Sequence, residues 1–387
     1  MSKRKEEGGK DRCTLARADG SLHPAIGCGN QYSISVSALQ EEVGEKFAPK
    51  KVRSLRLAEL YEEMGLLFSS RAGRVRECGS YLDFRLTEDG QKKLFRANFC
   101  RDRFCPMCNW RRSLKIFGQV SEIMNVLESQ KYRFLFLTLT VRNCDGKDFP
   151  KTVQMIFDGW RRFYHDYFRK GKAFRDVVCG SFRSLEVTIN KKTGQFHPHL
   201  HIILAVRPSY FRSAEYITQK EWAEIWRRSC GLDYKPIVDI RSVKPKKDKR
   251  TGEMSVASAV AEVSKYAAKD DDYLNFGAED ADQFRLFGND RAYYLRTLME
   301  GLTGRRLIGL TGCFKEVKAR LGLDDVESGD LVHVEADEEI REDIAYLIVH
   351  YQWRNGVYVE TIERPSWEDV ARRMGPIEPT PEEMEGL

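Results

Sequence analysis

Three of the seven histidines in this 387-residue chain fall within five positions, at His197, His199 and His201 in FHPHLHIILAV. Alternate side chains of a strand share a face, so the three imidazoles project together while Leu200 and Ile202 point the other way. Imidazoles grouped on a sheet each need a polar partner, and one metal ion supplies it to all of them. Upstream, in SLEVTIN, Glu186 shares a face with Thr188 and is expected to lie across a hairpin from the histidines. A carboxylate with two imidazoles leaves coordination positions open for substrate oxygens, which suits Lewis-acid work by Mg2+ or Mn2+. The third ligand is Glu186 or His197. Glu186 is preferred because Pro198 places His197 at the strand's mouth, better sited to meet a nucleic acid than the ion.

A second cluster is built from cysteine. Cys78, Cys100, Cys105 and Cys108 stand in CG…NFCRDRFCPMC, the last three within nine residues. Zinc takes four soft ligands at tetrahedral corners, and a CPMC turn presents two thiolates from one tight loop. Cys78 and Cys100 flank YLDFRL and KKLFRANF, which read as a hairpin turned at TEDGQ, so pairing of the strands would join the two thiolates. The reading is a structural, non-catalytic Zn2+ site; the alternative is four incidental thiols. The following NWRRSLK opens a helix with Trp110, Arg111, Arg112 and Lys115, available to phosphate or simply a solvated face.

The segment VASAVAEVSKYAAKD reads as a helix from Val256 to Asp270, with Val256, Ala259, Val260, Val263 and Ala267 at core spacing. Glu262 and Tyr266, four residues apart, are then neighbours on one face, with Lys265 and Lys269 beside them. Next to a metal-bearing sheet these groups form a reaction centre in miniature. In isolation the same tyrosine would read as a core-edge residue. Tyr273, seven residues on, falls near the same face and is an auxiliary nucleophile candidate.

The elements that must position these groups follow one order. KYRFLFLTLTV is a strand, Thr152 to Lys172 a helix, SFRSLEVTIN and HPHLHIILAV a hairpin turned at KKTGQF, Thr218 to Ser229 a helix and PIVDIRSV a strand. That is the order of a ferredoxin-like (RRM-like) α+β domain, an antiparallel sheet with helices on one face. The chain divides into a flexible arm at 1–36, a helical segment at 37–74, the zinc-binding segment at 75–115, the sheet domain at 116–275 and an acidic C-terminal α/β extension at 276–387. The end from Pro376 reads as disordered.

Composition narrows the class. With 42% hydrophobic and 11% aromatic residues the chain is no disordered protein. It lacks the roughly 18 to 20 consecutive apolar residues of a membrane span, and MSKRKEEGGKDR has no apolar stretch for a signal peptide, so a soluble cytoplasmic protein is expected. Ten cysteines are too few for a disulfide scaffold of this length. The net charge of +6 conceals a division, −13 from Leu321 onward and +19 before it. The basic front is suited to a polyanion and the tail would repel one.

Taken in order, FLFLTLT, HPHLHIIL and EVSKYAAK resemble the three motifs of the HUH endonucleases. CRDRFCPMCNWRRSLK resembles, more narrowly, the replication initiator (Rep) proteins of rolling-circle plasmids, and the likeness covers about Cys78 to Tyr273. The resemblance implies an origin-specific DNA nickase and strand transferase of the HUH fold. His199 and His201 match the histidine pair, Tyr266 the nucleophile that forms a 5′-phosphotyrosine and frees a 3′-hydroxyl primer, and Glu262 the acidic residue that serves hydrolysis at termination. Implied partners are plasmid double-strand origin DNA, single-stranded at the nick, with a host helicase and DNA polymerase; a homodimer is compatible. Competing expectations are an HUH transposase or mobilisation relaxase, and a noncatalytic zinc-containing DNA-binding regulator.

Overall fold

The computed structural model describes residues 14–16, 22–24, 30–87, 91–170, 177–212, 216–244, 246–247, 254–255, 257–264, 267–268, 270–274, 291–334, 346–361 and 366–374. In chain order the elements are β1 (Thr14–Ala16), β2 (Leu22–Pro24), α1 (Asn30–Lys46), α2 (Ala48–Glu63), α3 (Ser69–Glu77), β3 (Tyr81–Thr87), β4 (Lys92–Ala97) and α4 (Pro106–Ser129). Then come β5 (Arg133–Thr140), α5 (Phe149–Phe163), β6 (Val178–Ile189), β7 (Phe196–Val206), α6 (Gln219–Cys230), β8 (Val238–Ser242), the small hairpin β9 (Lys246–Lys247) and β10 (Met254–Ser255), α7 (Ala257–Val263), β11 (Ala267–Ala268) and α8 (Asp271–Leu274). The described chain closes with α9 (Arg291–Leu302), β12 (Ile308–Gly312), α10 (Cys313–Arg320), β13 (Tyr346–Arg354), β14 (Val357–Glu360) and α11 (Trp367–Met374). No helix among the described residues is long and apolar enough to cross a membrane.

The fold is α+β, with two sheets. The one that carries the histidines has the order β6-β7-β5-β8, each neighbouring pair antiparallel. Against β6 lie both β12, antiparallel at Ser184 to Gly180, and β11, parallel at Glu186 and Val187. Gly180 is obligatory at this seam, since a Cβ there would stand 2.5 Å from the Thr311 carbonyl oxygen. Local chemistry sets the ends of these elements. The β6–β7 turn closes as the Gly194 N–H donates to Asn190 O at 2.7 Å, with Gly194 at φ +70°, a conformation that favours glycine. A capping box opens α6, Thr218 Oγ1 accepting from Glu221 N while Glu221 Oε2 accepts from Thr218 N, and Gly231 at φ +68° ends it.

The expected strand, helix, strand, strand, helix, strand order is present, but helices cover both faces of the sheet rather than one. Phe149 of α5 packs 4.8 Å from Phe196, and Phe163 of α5 meets Trp222 of α6, so these helices cover the face that bears Phe196 and Leu200. On the histidine face, Phe314 of α10 meets Phe134 and α7 lies against β7. The sheet is apolar on both sides because both are covered, and each fully buried Leu or Phe there stabilises the fold by roughly 1.5–3 kcal/mol.

The second sheet runs β2-β1-β13-β3-β4, with β14 also on β13. Residues 1–36 were expected to form an unstructured arm, yet Thr14–Ala16 and Leu22–Pro24 pair into this sheet and α1 begins at Asn30. The C-terminal β13 lies beside β3 of the cysteine hairpin, Val349 opposite Phe84, so residues 276–387 contribute to both sheets. The expected disorder from Pro376 lies outside the described residues.

The NWRRSLK run faces inward, neither to phosphate nor to solvent. Arg111, Arg112 and Lys115 are each no more than 3% exposed. Arg111 donates to Leu331 O and Val332 O, Arg112 to Asp102 O, and Lys115 to Asp324 Oδ2 at 2.5 Å and Asp330 O at 2.7 Å. Buried cations need such partners, and the acidic segment 324–332 supplies them. Asp325 folds that segment by accepting from the N–H groups of Glu327 and Ser328 and pairing with Arg306. Burial alone would raise the Asp325 carboxyl, but the Ser328 amide and the Arg306 guanidinium draw its pKa down to about 2. A depressed carboxyl pKa contributes stability above its unfolded value near 3.9 that is lost as pH falls toward 2. Asp325→Asn is therefore expected to cost about 1 kcal/mol at pH 7 after solvent screening. In paired thermal melts of variant and wild type the difference should shrink from pH 4 downward.

Candidate metal and catalytic site

Register places the histidine cluster. On adjoining strands Glu186 of β6 faces His199 of β7, Ser184 faces His201, and Thr140 and Thr138 of β5 flank His199 and His201 from the other side. Glu186, His199 and His201 are all under 9% exposed. Glu186 Oε2 lies 2.8 Å from His201 Nε2 and 3.3 Å from His199 Nε2. Burial alone would raise the Glu186 carboxyl, but the two imidazoles hold it well below the usual carboxylate range.

The outer ring nitrogens fix the tautomer. His199 Nδ1 is 3.1 Å from the His197 carbonyl oxygen, which can only accept, so Nδ1 carries a proton and Nε2 is the nitrogen turned toward Glu186. Thr138 Oγ1, 3.2 Å from His201 Nδ1, can orient the second ring in the same way. Lone pairs on two nitrogens and a carboxylate oxygen at these separations repel unless a proton or cation lies among them. Ligand bonds of about 2.1 Å at right angles would put ligand atoms about 3.0 Å apart, so the trio fits a cation of octahedral preference. Glu186, His199 and His201 form one of two potential metal-holding groups among the described residues; His197 is not in it. The His197 ring stands beside that of His199, its Nδ1 buried without a hydrogen-bond partner.

Helix α7 crosses this face and brings Glu262 Oε1 to 4.0 Å from His201 Nε2, its side chain 43% exposed. The helix expected to run from Val256 to Asp270 ends earlier. It spans Ala257–Val263, and Ala267–Ala268 instead pairs with β6, Ala267 opposite Glu186. Ala267 therefore leaves the helix core expected of it for a strand position beside the metal group. Tyr266, Lys265 and Lys269 lie outside the described residues.

Tyr273 is no auxiliary nucleophile. It is fully buried in α8, its hydroxyl donates to Phe104 O at 2.5 Å, and its ring packs edge-on against that of Phe104. Asp270 pairs with Arg53, and Asp272 Oδ2 accepts from Ile189 N, so α8 fastens the chain after β11 to both the cysteine unit and β6. Tyr273→Phe is expected to cost about 1 kcal/mol in a denaturant melt, the worth of one hydrogen bond.

Two contributors were missed in the sequence. Thr138 was legible only as an alternate polar position in FLFLTLT. Arg241 of β8, paired with Asp239 and close enough to Glu262 to feel its charge, carried no signal beyond being basic.

The cysteines converge as expected. Hairpin pairing of β3 and β4 brings Cys100 N within 3.3 Å of Cys78 Sγ, and the Sγ–Sγ separations are 3.6 Å for Cys78–Cys108 and Cys78–Cys105 and 3.7 Å for Cys100–Cys108. Four thiolates about 2.3 Å from a central ion stand about 3.8 Å apart at tetrahedral corners, so the buried quartet fits such an ion. Burial pushes the Cys78 and Cys100 thiols up, which favours protonated sulfur unless a cation is present. Ser54 Oγ lies 3.3 Å from Cys105 Sγ, and Lys51 braces the turn by donating to the carbonyls of Arg76 and Cys78.

A buried cysteine quartet beside an antiparallel sheet with a carboxylate–imidazole trio defines a protein with two candidate metal centres. The chain belongs to the replication protein family, whose pattern it matches over residues 91–359. It is 36% identical over 314 residues to a protein named Protein rep from Streptococcus pneumoniae serotype 2, covering 80% of this chain and 90% of that protein. A Protein rep of Bacillus amyloliquefaciens is 36% identical over 344 residues, 85% and 97% of the two chains, and one of Lentilactobacillus hilgardii is 37% identical over 313 residues, 78% and 92%. No solved structure matches the chain.

Proposed function

We propose that this protein is a rolling-circle plasmid replication initiator of the HUH superfamily, a metal-dependent nickase and strand transferase acting at the plasmid's double-strand origin. The observation that carries the reading is the convergence of Glu186 with the paired His199 and His201 next to the point where the chain continues from EVSKY into β11. The β6-β7-β5-β8 order, with its two crossover helices, is a ferredoxin-like strand order and supports that reading. One carboxylate with two imidazoles favours Mg2+ or Mn2+, and the four thiolates favour a structural Zn2+.

Glu186, His199 and His201 would hold a divalent ion, which when bound would supply Lewis-acid stabilisation of charge on the scissile phosphate. Tyr266 attacks that phosphorus in line, the bond to the 3′ oxygen breaks, and a 5′-phosphotyrosine and a free 3′-hydroxyl result. The hydroxyl primes synthesis, while the covalent link conserves the phosphodiester for later rejoining. Glu262, partly exposed at the edge of the site, activates water at the second cleavage, so no second covalent enzyme forms and the cycle stops. Lys265 or Lys269 holds phosphate or lowers the phenol's pKa. His197, whose ring stands beside that of His199 without joining the ligand trio, is read as a DNA contact rather than a ligand.

The testing experiment incubates the protein with supercoiled plasmid bearing its own origin, with and without Mn2+ or Mg2+. Metal-dependent open circles are expected; tight binding without nicking would favour the noncatalytic regulator, and excision rather than replication a transposase. Glu262→Ala is expected to spare the first nick and to reduce release of closed circles by roughly 10²- to 10⁴-fold, the usual worth of a general base. Equal loss of the first nick would contradict its assignment.

A further inference from the structure

At the far end of the metal-bearing sheet, where β5 begins and β7 and β8 end, lies an open cleft of about 530 Å3. Tyr132, Arg133, Phe134, Phe211, Arg212 and Lys244 line it. Arg133, Arg212 and Lys244 are exposed and engage no carboxylate among the described residues. Glu128 is the one acidic residue in the lining. Phe211 keeps 38% of its surface exposed, and the nearby Tyr216 keeps 54%. In sequence, RSVKPKKDKR at 241–250, which includes the lining residue Lys244, carries six cations and one acid.

Uncompensated cations around exposed rings in a concavity suit one kind of ligand. The phosphates of a polynucleotide neutralise the cations, and an unpaired base stacks on the rings. A duplex keeps its bases in the helix and cannot place one in a cleft. We propose that this cleft is a second DNA subsite, one that holds a single-stranded flank of the origin away from the scissile phosphate. Thr140, paired with His199, is seven residues along β5 from Arg133, about 23 Å at strand rise. That separation corresponds to about seven nucleotides stacked at helical spacing, and to fewer in an extended single strand. The subsite rests on the nickase reading only for what occupies the other end of the strand.

The test measures fluorescence anisotropy of full-length protein with labelled single-stranded oligonucleotides carrying the nick sequence, lengthened stepwise on either side, without added divalent metal. Affinity is expected to step up by the time one flank reaches about seven nucleotides. Phe211→Ala should remove about five- to a hundredfold of that gain, the worth of one stacked base. The triple variant Arg133→Ala, Arg212→Ala, Lys244→Ala should lower the salt slope for long oligonucleotides by about 2, at about 0.7 per phosphate contact. Both variants should bind the shortest oligonucleotide as wild type does. Absence of a length step, or a step that survives both variants, would overturn the proposal and leave the cleft to a protein partner. A wild-type length step without nicking on metal addition would sink the nickase reading alone and leave the subsite standing.

Discussion

Cys105→Ala, or removal of the ion from the four-cysteine cluster with a strong chelator, is expected to unfold the part of the molecule built around β3, β4, α2 and the start of α4. The four thiols are at most 2% exposed and sit where those elements meet. Structural zinc contributes on the order of 10 kcal/mol in small domains, comparable with the whole stability of a typical protein. Cys108 opens the helix whose Arg111, Arg112 and Lys115 hold the acidic segment, and Tyr273 ties the chain beyond β11 to Phe104. Loss of the ion should therefore spread to the sheet that bears the histidines. Circular dichroism melts with and without chelator, alongside measured zinc content, check this: a drop of tens of degrees with about one zinc lost per chain is expected. If the four residues were incidental thiols, Cys105→Ala would leave a small cavity and shift the melt by only a few degrees.

His201→Ala is expected to lower the nicking rate by about 10³-fold or more while leaving binding of duplex origin DNA close to wild type. Metal stabilisation of transition-state charge is worth several kcal/mol, and each 1.36 kcal/mol is tenfold in rate. Thr138→Val, which removes only the hydroxyl beside His201 Nδ1, should weaken metal affinity by about 10- to 100-fold and be rescued by raising Mn2+. Single-turnover nicking against metal concentration separates the two: saturable rescue for Thr138→Val, little for His201→Ala. Full activity of His201→Ala at low metal would contradict the assignment of the trio.

The site was legible where two-residue periodicity governs. Alternation along β6 and β7 put Glu186, His199 and His201 on one face, and hairpin logic joined Cys78 to Cys100. Reading failed where partners are distant in sequence. The basic character of Arg111, Arg112 and Lys115 is the same on a solvated face as in a buried clamp, and only the carbonyls of Leu331 and Val332 decide between them. Helical spacing through Val263 and Ala267 says nothing of the free edge of β6, which takes Ala267–Ala268 into a strand and ends the helix early. The same edge accepts β12, and β3 accepts β13 from more than 250 residues away. The placement of Tyr273 against Phe104 has the same long-range origin.

The most direct test of the central claim is a denaturing gel of the protein after reaction with Mn2+ and origin DNA labelled separately at each end, followed by mapping of the modified peptide. A covalent adduct to the 5′ side of the nick, carried on the peptide containing Tyr266 and absent from Tyr266→Phe, is the expected result. An adduct that persists in Tyr266→Phe, or cleavage with no adduct at all in wild type, would contradict it.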